Sequence, residues 1–393
     1  MKIAKIYRKS FVVPSLRDLW KPLKNILIDT PELNSRCNKP LAMNIEELLQ
    51  ALVYFHLQEH SSGRELIQTL QEDEFAKDFI APEGGIKRAT FFETINERGL
   101  EQFQYIFEQL QKQAAFVLPK QHPELGDLVA IDGSLIDAVL SMHWADYRKG
   151  AKKARLHLGF DVNRSIPQKL YLTNGKGAER PHVSRIIEPG QTSVLDRGYQ
   201  DHQLFDQWQE DGQHFICRIR KSTCKNVLEA YPVPDDSKIF FDAKVTLGSV
   251  GNKQTAKPVR LVGYRIEGKK YWIATDRFDL TAEQVATAYK LRWDIETFFG
   301  WWKRHLHVYH LIARSEHGLM MQILAGLITY LLLAIYCHEQ HGERVSIKRV
   351  RQLRNQILNE IRQQCATPTS KRKRPSKWPA RRKRTTRKLN AKV

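Results

Sequence analysis

With 393 residues, 42% of them hydrophobic, the chain has room for two or three domains and at least one sizeable core. Its formal net charge of +20 and pI near 9.7 point to a polyanionic partner, DNA or RNA, because a chain this basic binds phosphates by counterion release alone. Five cysteines (Cys37, Cys217, Cys224, Cys337, Cys365) without C-x-x-C spacing argue against a disulfide framework or zinc module, and the N-terminus lacks the apolar run of a secretion signal, so a cytoplasmic location is expected.

Residues 1–40 are polar and interrupted by Pro14, Pro22, Pro31 and Pro40, and no element is predicted there. From Asn44 the pattern turns helical: Asn44 can cap, and Glu47 can reach back from the third helical position of N-I-E-E-L-L-Q-A-L-V-Y-F-H-L. Helices are also predicted over 62–72, 89–97 and 100–117, which makes 1–120 a helical N-terminal domain. Lys87, Arg88 and Thr90, in G-G-I-K-R-A-T-F-F-E, suit a helix-turn-helix contact with a duplex, against the simpler reading of a structural bundle.

At Leu128 the period changes. L-V-A-I-D-G-S is a short apolar run ending on Asp132, the way a buried strand delivers a carboxylate to its exposed edge. Strands follow at 155–162 and 168–173, joined by a turn at 163–167, then a helix at 181–188. T-S-V-L-D-R-G-Y (192–199) is a second apolar run ending on an acid, Asp196, before a helix at 200–211 and a strand at 214–220. The order β-β-β-α-β-α-β across 121–220 is an α/β sheet flanked by helices. Between 221 and 276 the helical signal disappears into the strand-like pieces 238–247, 258–266 and 269–275, so an all-β insertion interrupts the α/β unit.

Helix returns at Leu280–Thr281 and fills 277–315. In Y-K-L-R-W-D-I-E-T-F-F-G-W-W-K, Tyr289, Arg292, Glu296 and Lys303 fall within about 60° on a helix, a polar stripe beside an apolar arc of Leu291, Ile295, Phe298 and Trp302. Asp294 points away from the stripe. Residues 316–365 are helical, and their apolar run 319–337 is read as a helix buried on several sides rather than a membrane span, since basic residues flank it on both sides. The tail, 366–393, carries twelve Lys or Arg and no acid over 371–393 and is expected to stay disordered until it meets phosphates.

Two strand ends and one helix thus present three acids: Asp132, Asp196 and Glu296. Carboxylates alone suit Mg²⁺ or Mn²⁺, and two such ions suffice for phosphoryl transfer between nucleic-acid strands. Each acid also has an ordinary account: Asp132 in an Asx-turn, Asp196 capping the next helix, and Glu296 pairing with Arg292 at i,i+4.

The spacing Tyr289-x2-Arg292-x3-Glu296-x6-Lys303 resembles the Tyr-Arg-Glu-Lys signature of the insertion-sequence-four family of bacterial DDE transposases. I-D-G-S, L-D-R-G-Y and F-I-C-R-I-R resemble that family's other blocks, in order, over roughly 125–305. The resemblance implies an RNase H-like catalytic core, interrupted by the β-rich insertion, with Asp132, Asp196 and Glu296 as catalytic metal ligands for Mg²⁺ or Mn²⁺. It implies cut-and-paste transposition through a hairpin, on double-stranded DNA comprising the element's terminal inverted repeats and the target, by a homodimer in the bacterial cytoplasm at the nucleoid. Tyr289, Arg292, Lys303 and Arg218 would touch DNA, and an aromatic residue of the insertion would stack on an extruded base. Tyr271 and Trp272 are the candidates, and ring size favours Trp272. Competing readings are an RNase H-like nuclease without strand transfer and a non-catalytic DNA-binding regulator.

Overall fold

The computed structural model describes residues 13–33, 41, 43–82, 85–249, 251, 253–307 and 310–366. The basic tail and Cys37 lie outside these residues, and Cys217, Cys224 and Cys337 are free thiols.

The proline-rich start forms two short helices, α1 (Pro14–Trp20) and α2 (Leu23–Asp29). Pro14 occupies the first turn of α1 and Pro22 the cap of α2, positions where a missing N–H costs nothing, so the prolines start helices instead of breaking them. Leu16, Leu19, Trp20 and Leu23 are buried. The helices α3 (Ile45–Leu57), α4 (Gly63–Glu72), α5 (Arg88–Glu97) and α6 (Leu100–Val117) follow. Asn44 Oδ1 accepts from Glu47 N at 2.9 Å and Glu47 Oε2 from Asn44 N at 3.0 Å, the capping box expected from sequence. Lys87 and Arg88 are exposed at the start of α5.

The strands are β1 (Leu128–Asp137), β2 (Lys153–Asp161), β3 (Ile166–Asn174), β4 (Thr192–Leu195), β5 (His214–Arg218), β6 (Lys225–Ala230), β7 (Ile239–Leu247), β8 (Val259–Ile266) and β9 (Lys269–Thr275). They form one mixed sheet in the order β3-β2-β1-β4-β5-β9-β8-β7-β6, with β1, β4 and β5 parallel. Two helices join them: α7 (Val183–Ile186), shorter than the predicted 181–188, and α8 (His202–Glu210). The insertion strands do not stand apart. The antiparallel β5–β9 pair, Ile216↔Thr275 to Arg218↔Ile273, continues the α/β sheet straight into them.

Side-chain alternation gives the sheet two faces. Ala130, Val194, Ile216 and Ile273 face a core built with α9 (Ala282–Leu291), α10 (Trp293–His305), α11 (Glu316–His341) and the N-terminal helices. Val129, Ile131, Leu195, Cys217 and Ala274 face the other way, onto Phe205 and Trp208 of α8. Helix α11 is apolar and long enough to cross a membrane, yet 94% of its most apolar window is buried within the protein, packed by α3, α5 and α6. The last helix, α12 (Ile347–Ala366), lies against α1.

Candidate active site

The two aspartates are positioned by backbone pairing. In the parallel β1–β4 ladder Leu128 pairs with Thr192, Val129 with Ser193 and Ala130 with Val194; two steps further the same register sets Asp132 beside Asp196. Both belong to the side-chain series of Ala130 and Val194, so both point to the face that α9 and α10 cover. Each also accepts a local backbone N–H: Asp132 Oδ1 from Gly133 at 2.8 Å, Asp196 Oδ1 from Gly198 at 2.7 Å, the latter capping the 3-10 turn Arg197–Tyr199. Asp196 thus follows the last residue of β4, whereas Asp132 lies in mid-strand: β1 runs on to Asp137 instead of turning after the acid as expected, and helix α8 is capped by Asp201 rather than by Asp196.

Glu296 arrives differently. The polar stripe does not run along one continuous helix: α9 ends at Leu291, α10 begins at Trp293, and Arg292 forms the joint. The buried Arg292 guanidinium donates to Glu296 Oε1 at 2.6 Å and sits 5.8 Å from the Tyr289 ring centroid. Lys303 Nζ donates to the Leu135 carbonyl at 2.9 Å, tying α10 to the end of β1. Ile295, Phe298 and Trp302 anchor the inner side of α10, as the apolar arc predicts. Asp294 lies 3.8 Å from Arg344 instead.

Electrostatics mark Asp132. Burial above all, then the charges of Asp196 and Glu296, push its carboxyl up to about 6, against the opposing pull of the Gly133 N–H and Arg292. Burial penalises the ionised carboxyl, a cost that a bound cation would offset, and the all-oxygen donors suit a hard divalent ion. Among the described residues no three His, Cys, Asp or Glu side chains form a ready metal-holding group, and Glu296 is engaged by Arg292. The donor chemistry of the two aspartates fits such an ion, while the third carboxylate, Glu296, is held on a cation.

The remaining candidates separate by face. Arg218 lies over the Tyr271 ring at 4.8 Å, and Tyr271 stacks on Tyr264 at 5.3 Å, on the face shared with Ile273 and the aspartates. Trp272, favoured on ring size, points to the opposite face, wedged edge-on between Phe240 and Phe241 with Lys225 Nζ 5.0 Å above it. A neighbouring strand residue cannot share the side of its partner, so Tyr271 is the aromatic that the carboxylate face presents.

Three features were missed from sequence. Tyr199 is buried, its hydroxyl has no hydrogen-bond partner among the described residues, and burial together with Asp132 and Asp196 holds its pKa well above the usual phenol range. Behind Asp132, Glu179 pairs with Arg155, and a Cβ on Gly133 would stand 2.6 Å from Glu179 Oε1, so a larger residue there would push the Glu179 side chain aside. Trp293 is 61% exposed at the start of α10. The spacing in L-D-R-G-Y and W-D-I-E was the only available signal for Tyr199 and Trp293.

Residues 123–332 match the family described as transposase DDE domain. The chain is 28% identical over 197 residues to the probable transposase for insertion sequence element IS5377 of Geobacillus stearothermophilus, covering 48% of this chain and 51% of that protein. It is 26% identical over 199 residues to the putative transposase y4zB of Sinorhizobium fredii, covering 49% and 56%. A longer match, 24% over 284 residues and 70% and 78% of the two chains, is to the putative transposase for insertion sequence element IS4SA of a Synechocystis species. The chain thus spans about half the length of the first two relatives.

Proposed function

The chain belongs to the family of transposases with a DDE domain, and on that premise we propose that it is a metal-dependent enzyme of cut-and-paste DNA transposition. The observation that carries this reading is the register of β1 and β4, which brings Asp132 and Asp196 side by side on the face covered by the helix of Glu296. Within the family we assign it to the insertion-sequence-four group, on the spacing of Tyr289, Arg292, Glu296 and Lys303. We read β1–β5 as an RNase H-like core and 1–120 as the region that binds element ends.

Asp132 and Asp196 would hold Mg²⁺ or Mn²⁺, with Glu296 joining once it leaves Arg292. When bound, the ions activate the attacking oxygen and neutralise the leaving one. The protein positions the strands. Arg292, freed of Glu296, and Lys303 are cations beside the carboxylates that suit scissile phosphates, and Arg218 adds a third. Tyr271, held on the carboxylate face by Arg218 and Tyr264, would stack on an extruded base at the hairpin step once Arg218 turns from its ring to a phosphate. Water would nick the element end, the freed 3′-hydroxyl would attack the opposite strand, and after hairpin opening the same site would join the end to target DNA. Two protomers, acting in the cytoplasm, would bring two ends together.

The test uses DNA carrying the element's terminal repeat. Asp132→Asn, Asp196→Asn and Glu296→Gln should each abolish end cleavage while end binding survives; normal cleavage by any of them refutes the assignment. Pre-cut ends then separate a transposase from a plain nuclease, since only the former joins them to a target. Absence of metal-dependent cleavage in the unaltered chain would favour a DNA-binding regulator.

A further inference from the structure

Helix α12 sorts its side chains by charge. Val350, Leu353 and Ile357 are buried in the core, so the helix is anchored. Its single acid, Glu360, is turned inward, accepting from Ser15 N at 2.9 Å and Ser15 Oγ at 2.6 Å. Two of its arginines are neutralised: Arg349 by Glu343 at 2.6 Å and Arg354 by Glu59 at 2.9 Å. One side of its outer surface carries Lys348, Arg351, Gln352, Asn355, Asn359 and Arg362, which fall within about 100° of one another around the helix and extend along about 21 Å of it, with the exposed Ile347, Leu358 and Gln363 beside them. Five of the six are exposed, Gln352 is half-buried, and among the described residues no ion pair engages Lys348, Arg351 or Arg362. All of the six but Arg362, together with Gln356, line one surface concavity.

An ordinary solvated helix face mixes signs, because acids there favour solubility and pair with the bases. This face has cations at both ends, amides between them and no carboxylate, which is the donor set that binds phosphate oxygens and base edges. It also adjoins the catalytic helix. Glu59, which holds Arg354, lies 3.9 Å from His305 at the end of α10. The sequence after α12 continues with the twelve basic residues of 371–393.

We propose that the outer stripe of α12, from Lys348 to Arg362, is a second duplex-binding surface that engages DNA outside the carboxylate site. This rests on the reading that the chain acts on DNA, and it adds a place where a segment of duplex is held beyond the reacting strands. Lys348, Arg351 and Arg362 contact phosphates; Asn355 and Asn359 hydrogen-bond the DNA between them.

The experiment measures binding of the full chain to a fluorescein-labelled duplex of arbitrary sequence, by anisotropy across a salt series without divalent metal. It reports no cleavage, so failure of the transposase reading shows in a different assay. Replacing Lys348, Arg351 and Arg362 together by Gln should make the plot of log affinity against log salt shallower by about 2 to 3. Asn355→Ala with Asn359→Ala removes no charge and should weaken binding about fivefold or more with the slope unchanged. Both variants alter exposed positions, and an unchanged circular dichroism spectrum and melting temperature confirm folding. An unchanged slope in the first variant, or unaltered affinity in the second, overturns the proposal. So does a change in self-association with DNA binding intact, which would make the stripe a contact between copies of the chain.

Discussion

The strand-borne and helix-borne halves of the carboxylate site are held by different kinds of force. Asp132 and Asp196 are fixed by main-chain pairing of β1 with β4, and each carboxylate is locked again by a neighbouring N–H. Glu296 is fixed by one side chain, Arg292, standing at the joint between two helices. Backbone register cannot slip without turning a strand inside out, whereas a salt bridge opens with a rotamer change. The strands supply the rigid part of the site and the helix supplies its adjustable part.

Length changes should expose that difference most strongly. Asp196→Glu keeps the charge but pushes the carboxylate forward by one methylene in a rigid frame, so end cleavage should fall about 10²-fold or more. Glu296→Asp, on the side that can readjust, should lose only about tenfold. Cleavage rates on a terminal-repeat duplex decide the matter, and the reverse ranking would break the distinction between rigid and adjustable acids.

The two aromatic residues of β9 extend the comparison to the faces of the sheet. Tyr271→Ala should slow hairpin formation or opening about tenfold, the loss of one base–aromatic stack, with little change in melting temperature. Trp272→Ala should destabilise the fold by about 2–4 kcal/mol, because its ring fills the opposite side among Phe240 and Phe241. Denaturation curves beside single-turnover assays separate the two, and a selective hairpin defect in the Trp272 variant would assign the roles the other way.

A smaller effect tests the helix joint. Arg292 is buried, with its guanidinium on a half-buried carboxylate. A double-mutant cycle between Arg292→Met and Glu296→Gln should give a coupling of about 0.5–2 kcal/mol in chemical denaturation. Adding Mg²⁺ should shrink it if Glu296 leaves Arg292 for the ion, and a coupling that ignores the metal would mean that the pair stays closed.

These contrasts also explain what was legible in the sequence. Apolar runs that end on an acid announced β4 and the start of β1, which runs on past Asp132 to Asp137, and the capping box announced α3, because there local pattern and burial agree. Strand β6 was missed: it is an edge strand, and Asn226, Val227, Leu228, Glu229 and Ala230 are all exposed, so no alternation marks it. The initial helices were hidden by reading Pro14 and Pro22 as breakers. The polar stripe of 289–303 was visible, but not the joint at Arg292, since helical periodicity continues through it. Which sheet face Tyr271 and Trp272 each take was not legible, because both following residues, Ile273 and Ala274, are buried, and only the register with β5 and β8 tells the faces apart.

The subtlest consequence concerns Asp132 as a cost of the rigid half. Its folded carboxyl titrates at about 6, above the ordinary 3.8 that it regains on unfolding. Between those values the folded chain binds more protons than the unfolded one, so stability declines as pH rises through the window, and the full penalty persists above pH 6. Asp132→Asn keeps the shape and the acceptor for the Gly133 N–H but has nothing to ionise. In chelator the variant should therefore be more stable than the parent by about 1–3 kcal/mol at pH 7.5, with the difference closing towards pH 4. Saturating Mg²⁺ should stabilise the parent and narrow the gap, since a cation at the acids favours the ionised form that burial penalises. Urea denaturation at several pH values reads this directly. A variant no more stable at pH 7.5 than the parent would mean that Asp132 ionises without penalty, and the strand pair would then carry no stored demand for a cation.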